Sequence, residues 1–213
     1  MQATSAGASA TTFAILGLIG TAPASAYELA RRMQLHYAYF WPRARSHVFT
    51  EVKRLAVLGW VDARDEATGR RRRVVYALNA AGRGALRAWL ARPPTSFALE
   101  MEGLVRIYLG SQGRPADLLQ TLEAMQAEAV AMLHMAGDII PAYLAGRPPP
   151  PADEVHVRAL LFDFLTHFAA FVCDWAERNR TEVKRWAGED VAVRDRRALR
   201  RMQAMPRMRA RES

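Results

Sequence analysis

Apolar residues recur at helical spacing over most of the chain, and one short interval breaks that period. Phe13 to Gly20 is almost wholly apolar, which predicts a first helix buried on most sides, capped by Thr12 and ended by Gly20–Pro23. Ser25, Ala26, Tyr27 and Glu28 have the form of a capping box. A second helix is expected from there to about Leu35, with Tyr27, Leu29, Ala30 and Met33 at helical spacings. A third helix is expected over Ser46–Leu58, with Ser46 as its cap, Val48, Val52, Leu55 and Leu58 as its buried stripe, and Gly59 as a left-handed stop. The period then changes. Trp60–Arg64 and Val74–Leu78 read as strands, with a turn at Asp65–Gly69 between them. Asn79 caps a fourth helix to about Ala91, and Pro93–Pro94 breaks the chain.

Beyond Pro94 the pattern is helical again. Pro115 suits a first helical position and Asp117 a first turn. Leu118, Leu119, Leu122, Met125, Ala129, Met132, Leu133 and Ile139–Ile140 then sustain a long amphipathic helix. Gly146–Pro151 is a stiff break. A second long helix, roughly Asp153–Trp186, carries Leu161, Phe164, Phe168, Phe171 and Trp175. Two such helices have apolar faces too wide to cover each other, so a partner subunit is the expected cover. Leu122, Met125, Met132, Leu161, Phe164, Phe168, Phe171 and Trp175 are the expected homodimer interface; the aromatic stripe could instead line a pocket for an aromatic small-molecule effector.

The predicted fold class is mainly α: an N-terminal winged helix-turn-helix of three helices, a two-stranded wing and a linking helix, then a C-terminal long-helix dimerisation domain. The expected boundaries are a disordered N-terminus at residues 1–11, the winged-helix domain at 12–94, a helical dimerisation and effector domain at 95–188, and a basic, disordered tail at 189–213.

Charge sharpens this division. The net charge is +9. Residues 1–95 hold 14 Lys+Arg against 5 Asp+Glu, residues 96–193 hold 8 against 14, and residues 194–213 hold 8 against 2. A basic front joined to an acidic middle directs one face at a polyanion. The single Cys173 forbids an intrachain disulfide and fits a reducing compartment. Phe13–Gly20 with Ala24–Ala26 imitates a secretory signal, but no Lys or Arg precedes Arg31, and the run is too short to span a bilayer. A cytoplasmic protein without a membrane partner is expected.

A helix followed at once by a basic hairpin is how a winged helix grips duplex DNA. His47 and Thr50, near the start of helix three, are placed to reach base edges in the major groove. Arg43 and Arg45 would lie near phosphates, as would the helix amides near Ser46. Lys53 and Arg54, one turn further on, fit the DNA backbone better. Arg70, Arg71, Arg72 and Arg73 would lie along phosphates or enter a narrow minor groove. The aromatic loop with Tyr37, Tyr39, Phe40 and Trp41 could stack unpaired bases, though such aromatics more often wedge a loop into a core. Asp163 and His167 are four apart on a helix, but no HExxH or CxxC pattern supports a metal. No Gly-rich phosphate loop, nucleophile elbow or Cys/His pairing appears either. Neither an enzyme nor a cofactor is expected.

The stretch from Ile15 to Trp89 resembles the PadR family of bacterial transcriptional regulators. The resemblance rests on Ile15–Leu18, Pro23 with Tyr27–Leu29, Phe40–Pro42, Phe49 and Glu51–Leu55, Leu58–Val61, Gly69–Arg70 and Val75–Arg83. It places Tyr27 and Phe49 beside the DNA-contacting residues above. It also implies a ligand-responsive repressor that binds a palindromic operator as a homodimer through its helical C-terminal half. Two positions depart from the usual pattern: Ala26 where the family has Gly, and Phe49 where it has Tyr. The second keeps packing and removes a hydroxyl that could bond a phosphate. A non-specific, nucleoid-like DNA binder and a protein-interaction adaptor remain as alternatives.

Overall fold

A computed structural model describes residues 8–37, 40–41, 47–68, 71–94, 99–146 and 154–204. The chain divides into two compact units, Met1–Ala98 and Leu99–Ser213.

The first unit opens with α1, Ala10–Thr21. Ser9, and not Thr12, caps it: Ser9 Oγ accepts from the Thr12 amide (3.3 Å), and Thr12 Oγ1 accepts from the Ser9 amide (3.0 Å). Residues 10 and 11 are therefore helical, which corrects the expected disorder there; residues 1–7 lie outside the described residues. Next come β1 (Ala24–Ser25), α2 (Ala26–Tyr37), α3 (Val48–Val57), β2 (Val61–Thr68), β3 (Arg71–Leu78) and α4 (Ala80–Leu90). The Ser25–Glu28 capping box forms as expected. The Ser25 amide donates to Glu28 Oε2 (2.8 Å), and the Glu28 amide donates to Ser25 Oγ (3.4 Å).

The antiparallel sheet runs β1-β3-β2. Only Ala24 and Ser25 of β1 pair with β3, opposite Tyr76 and Val75, while β2 pairs with β3 from Val61↔Leu78 to Thr68↔Arg71. The hairpin strands are thus longer than expected. Asp65–Thr68 belong to a strand rather than a turn, and Arg71, Arg72 and Arg73 lie in β3 rather than at a tip.

Ile15, Leu16 and Ile19 of α1, Leu29 and Met33 of α2, and Val48, Val52 and Leu55 of α3 are sealed from solvent. Trp60, Val61 and Tyr76 close this core from the sheet side, and the Phe13 ring stacks on Trp89 at 4.8 Å. Gly59, at φ +67°, ends the α3 region in the left-handed conformation that a side chain would strain. Asn79 caps α4 through Oδ1, which accepts from the Gly82 amide (3.0 Å), while its Nδ2 donates to the Gly59 carbonyl (3.0 Å). A Cβ at position 82 would overlap the Trp60 carbonyl oxygen, so α4 can approach β2 only with glycine there.

The second unit contains α5 (Glu102–Tyr108), a short 3-10 turn at Gly110–Gln112, α6 (Pro115–Leu144), α7 (Val155–Lys184) and α8 (Val191–Gln203). Pro115 starts α6, and Asp117 Oδ2 accepts from the Arg114 amide (2.9 Å). The α6–α7 seam buries Leu122, Met125, Ala129 and Ala136 against Leu165, Ala169, Val172, Ala176 and Val183. Small residues at several of these positions let the two helices approach closely. Arg180 ties the seam by donating to Glu123 Oε1 (3.0 Å) and Gln126 Oε1 (2.7 Å). By length and composition α7 could cross a membrane, its best stretch reaching a mean hydropathy of 1.4.

The tail expected to be disordered is a helix through Gln203. Asp190 caps α8 by accepting from the Ala192 amide (2.7 Å). The guanidinium of Arg197 holds both oxygens of Glu189 (2.8 and 2.7 Å) and reaches Glu182 Oε1 (2.7 Å). Arg194 donates to the Trp186 and Glu189 carbonyls (2.7 Å each) and lies 5.8 Å from the Trp186 ring centre. Arg194, Arg197 and Arg201 are spaced i, i+3, i+7, so one helical face docks while Arg196 and Arg200 remain exposed.

Candidate nucleic-acid interface

Helix α3 has two unlike faces. Val48, Val52 and Leu55 point into the core, and the opposite side exposes Phe49, Thr50, Lys53 and Val57. His47 is the N-cap residue, exposed and without a side-chain capping bond; Ser46, the expected cap, lies outside the described residues, as do Arg43, Arg45 and Arg70. Phe49 is 54% exposed and Tyr27, in the first turn of α2, is 74% exposed. An aromatic ring costs free energy in water, so two such rings on one domain suit a surface that becomes covered.

The buried face is also pinned by a polar contact. Thr12, fully buried in α1, donates its hydroxyl to Glu51 Oε2 at 2.7 Å, and Glu51 Oε1 accepts from Arg54 Nη1 at 3.4 Å. A hydrogen bond to a charged acceptor with little solvent access is among the stronger kinds. It fixes the rotation of α3 about its axis, and with it the direction of Thr50 and Lys53. The bond also turns Arg54 toward Glu51, so Arg54 is less available to a phosphate than Lys53.

The wing splits its arginines between roles. Arg72 is exposed. Arg73 is engaged: Nη1 donates to Glu28 Oε1 (2.9 Å) and Nη2 to Glu66 Oε2 (3.1 Å). The Glu28 carboxyl is held below its ordinary value chiefly by the Ser25 amide and hydroxyl, with Arg73 adding to them against the opposing effect of burial. Arg71 pairs with Thr68 through the backbone. Arg64, exposed on β2, is a wing cation that the sequence reading did not assign to the interface. Its place in the strand before the turn was the available signal. Glu51 was also missed, because a carboxylate on a helix expected to meet DNA looks unfavourable until Thr12 is seen behind it.

Of the aromatic loop, Tyr37 packs against the core while Phe40 and Trp41 are exposed. Trp41 Nε1 donates to Thr11 Oγ1 (2.9 Å), and the Tyr37 and Phe40 rings lie 5.4 Å apart. Tyr39 is outside the described residues.

Three helices, a β1-tethered wing and a linking helix make a winged helix-turn-helix, and residues 15–88 match the family model of the transcriptional regulator PadR-like family. The probable transcriptional regulator Rv1176c of Mycobacterium tuberculosis is 33% identical over 131 residues, covering 56% of this chain and 69% of that protein. The chain belongs to the PadR-like family. It is a DNA-binding transcriptional regulator and not an enzyme. The fold agrees. Bacillus subtilis PadR, solved in complex with operator DNA, aligns with a TM-score of 0.65 at 19% identity, covering 81% of this chain and 98% of that one. The same protein in complex with p-coumaric acid gives 0.60 at 19% identity, covering 84% and 96%. The virulence activator AphA of Vibrio cholerae gives 0.61 at 20% identity, covering 82% and 98%.

The predicted subunit-interface residues of the regulator separate into three groups. Leu122 and Met125 are buried within the chain, where Met125 packs against Gly103 of α5, so neither offers surface to a partner. Met132 and Phe168 are half-buried against Ala129, Ala169 and Val172. Leu161 and Trp175 are half-buried, whereas Phe164 (55%) and Phe171 (57%) are exposed. Val157 and Leu160 extend the exposed apolar side of α7. His167 Nδ1 lies 3.3 Å from Asp163 Oδ1, both side chains being exposed.

Proposed function

We propose that this regulator is a ligand-responsive repressor that binds a palindromic operator as a homodimer. The observation that carries the reading is the exposed ridge of Phe49, Thr50, Lys53 and Val57 on a helix whose opposite face is sealed and pinned by Thr12–Glu51. Such a ridge is rigid when presented to a groove, so little ordering entropy is lost on binding. His47 and Thr50 read base edges. Lys53 and Arg72 contact phosphates, with Arg43, Arg45, Arg70 and Arg71 as further basic contacts. Tyr27 and Phe49 cover sugar and backbone. The exposed Leu160, Phe164 and Phe171 side of α7 supports dimerisation, since a face of this kind is unfavourable when left in water. Two-fold symmetry then implies an operator with related half-sites, about 34–36 Å apart if they are one helical turn apart. An aromatic effector is supported by the p-coumaric acid complex of the B. subtilis protein. It would act by binding one of two conformational states more tightly than the other.

The test is titration of the full chain against duplex from beside its own gene and against random-sequence duplex at physiological salt. The reading predicts a preference of about 10³ or more. Equal affinities would make it a non-specific binder, and no salt-dependent affinity for either duplex would make it an adaptor.

A further inference from the structure

The three-stranded part of the sheet is short. β1 ends at Ser25, opposite Val75, and beyond that register β2 and β3 continue as a two-stranded ribbon. Asp65, Glu66, Arg72, Arg73 and Val74 are all exposed on this ribbon. With its described side chains exposed, a two-stranded ribbon gains little from packing to hold its angle to the body that carries it. The Arg73 fork is attached at its base. Arg73 is the cross-strand partner of Glu66, and its second amino group reaches Glu28, the residue whose other oxygen is already held by the amide and hydroxyl of Ser25 (2.8 Å each). One guanidinium therefore ties β2, β3 and the first turn of α2 together. The carboxylate side chains are 40% and 48% exposed, so pairs of this kind contribute little to global stability. What a planar two-ended fork supplies is geometry.

We propose that Arg73 is a positioning residue for DNA binding and not a phosphate ligand. Its bonds to Glu28 and Glu66 hold the wing ribbon at a fixed angle to α2, and so set where Arg72 lies relative to the α3 ridge. The proposal rests on the DNA-binding reading above. It assigns opposite signatures to two neighbouring arginines, because a lost phosphate contact changes the number of counterions released and a lost positioning contact does not.

The experiment measures the salt dependence of affinity for one duplex, using the full chain and its R72A, R73A, R73K and E66Q variants. R72A is expected to flatten the log–log slope by about 1. R73A should weaken binding about tenfold with the slope unchanged. R73K keeps the charge but cannot span both carboxylates, so it should weaken binding nearly as much as R73A. E66Q is the sharpest arm. Removing a negative charge should tighten DNA binding if bulk electrostatics governs, whereas loss of the fork predicts binding weakened about three- to fivefold. The proposal is overturned if R73A flattens the slope as R72A does, if R73K binds like the unaltered chain, or if E66Q binds more tightly. An unaltered chain that binds no duplex would instead overturn the DNA-binding reading, and this role with it.

Discussion

The largest side chains sealed from solvent, Ile15, Leu16, Ile19, Leu29, Met33 and Leu55 among them, all lie in the first unit. In the second unit the buried seam of α7 is built from Leu165, Ala169, Val172, Ala176 and Val183, while Phe164 and Phe171 remain more than half exposed. The first unit thus spends its large apolar residues on its own core and shows solvent a polar and aromatic ridge. The second leaves Phe164 and Phe171 outside and closes its internal seam with aliphatic and small residues. Burial of apolar area is the dominant favourable term in folding. The first unit is built to fold by itself, and the second is built to gain stability from something that covers it.

Four changes test that contrast. The largest effect should come from Leu16→Ala, which empties a fully buried site in the first unit and should cost about 3 kcal/mol in denaturant unfolding. A loss well under 1 kcal/mol would contradict a self-sufficient core. Next, Thr12→Val keeps the shape of residue 12 and deprives Glu51 of its donor. A loss of about 1–3 kcal/mol is expected, together with weaker DNA binding; unchanged stability and affinity would show that the bond does not orient α3. Third, Phe171→Ser should change the stability of a dissociated chain by about 0.5 kcal/mol or less and still shift native mass spectra toward the monomer. A dimer that persists unchanged would place the interface elsewhere.

The smallest effect concerns α8 and acid. In Glu182 burial raises the carboxyl pKa, but Arg197 and the Trp186 indole, with Arg201, outweigh it and hold it below the ordinary value of 4.5. Glu189 is held low chiefly by its hydrogen bonds from Arg197, against burial, with Arg194 and Arg185 assisting. Groups with depressed folded-state values stabilise the docked helix above their ordinary carboxylate range, and that contribution fades as pH falls through the folded value. The protection factors of α8 amides, with the intrinsic exchange rates divided out, should therefore stay high at neutral pH and fall below about pH 4.5, while those of α1 and α3 hold. Uniform loss of protection across both units would remove the distinction.

Much of the first unit was readable from the sequence because its signals are local. The Ser25–Glu28 box, the Asn79 cap, the Gly59 stop and the Val48–Val52–Leu55 stripe each require only neighbouring residues and a periodicity. Other features depended on tertiary pairing. β1 is two residues long and exists only because Tyr76 and Val75 of β3 lie opposite it. Asp65–Thr68 and Arg71–Arg73 looked like a turn because their mostly polar sequence has no apolar alternation to betray a strand. In α7 the large aromatics attracted attention, whereas the intrachain seam uses the quieter spacing of Leu165, Ala169, Val172 and Ala176. The arginines of α8 resembled a loose polycation, and only Glu182 and Glu189 showed that one face was committed to docking. Within the interface, the basic residues were legible as a group. Their division into exposed Arg72 and engaged Arg73 depended on Glu28, 45 residues away in sequence.

On the proposed function the α3 ridge chooses the sequence while the wing supplies affinity. The direct measurement is affinity of Thr50→Ala and Arg72→Ala chains for an operator panel in which each base pair is changed in turn. Thr50→Ala should relax discrimination at one position of each half-site by about 1–3 kcal/mol and leave the other positions alone. Arg72→Ala should weaken every sequence by a similar factor. Equal losses across the whole panel for Thr50→Ala, or a position-specific change for Arg72→Ala, would contradict it.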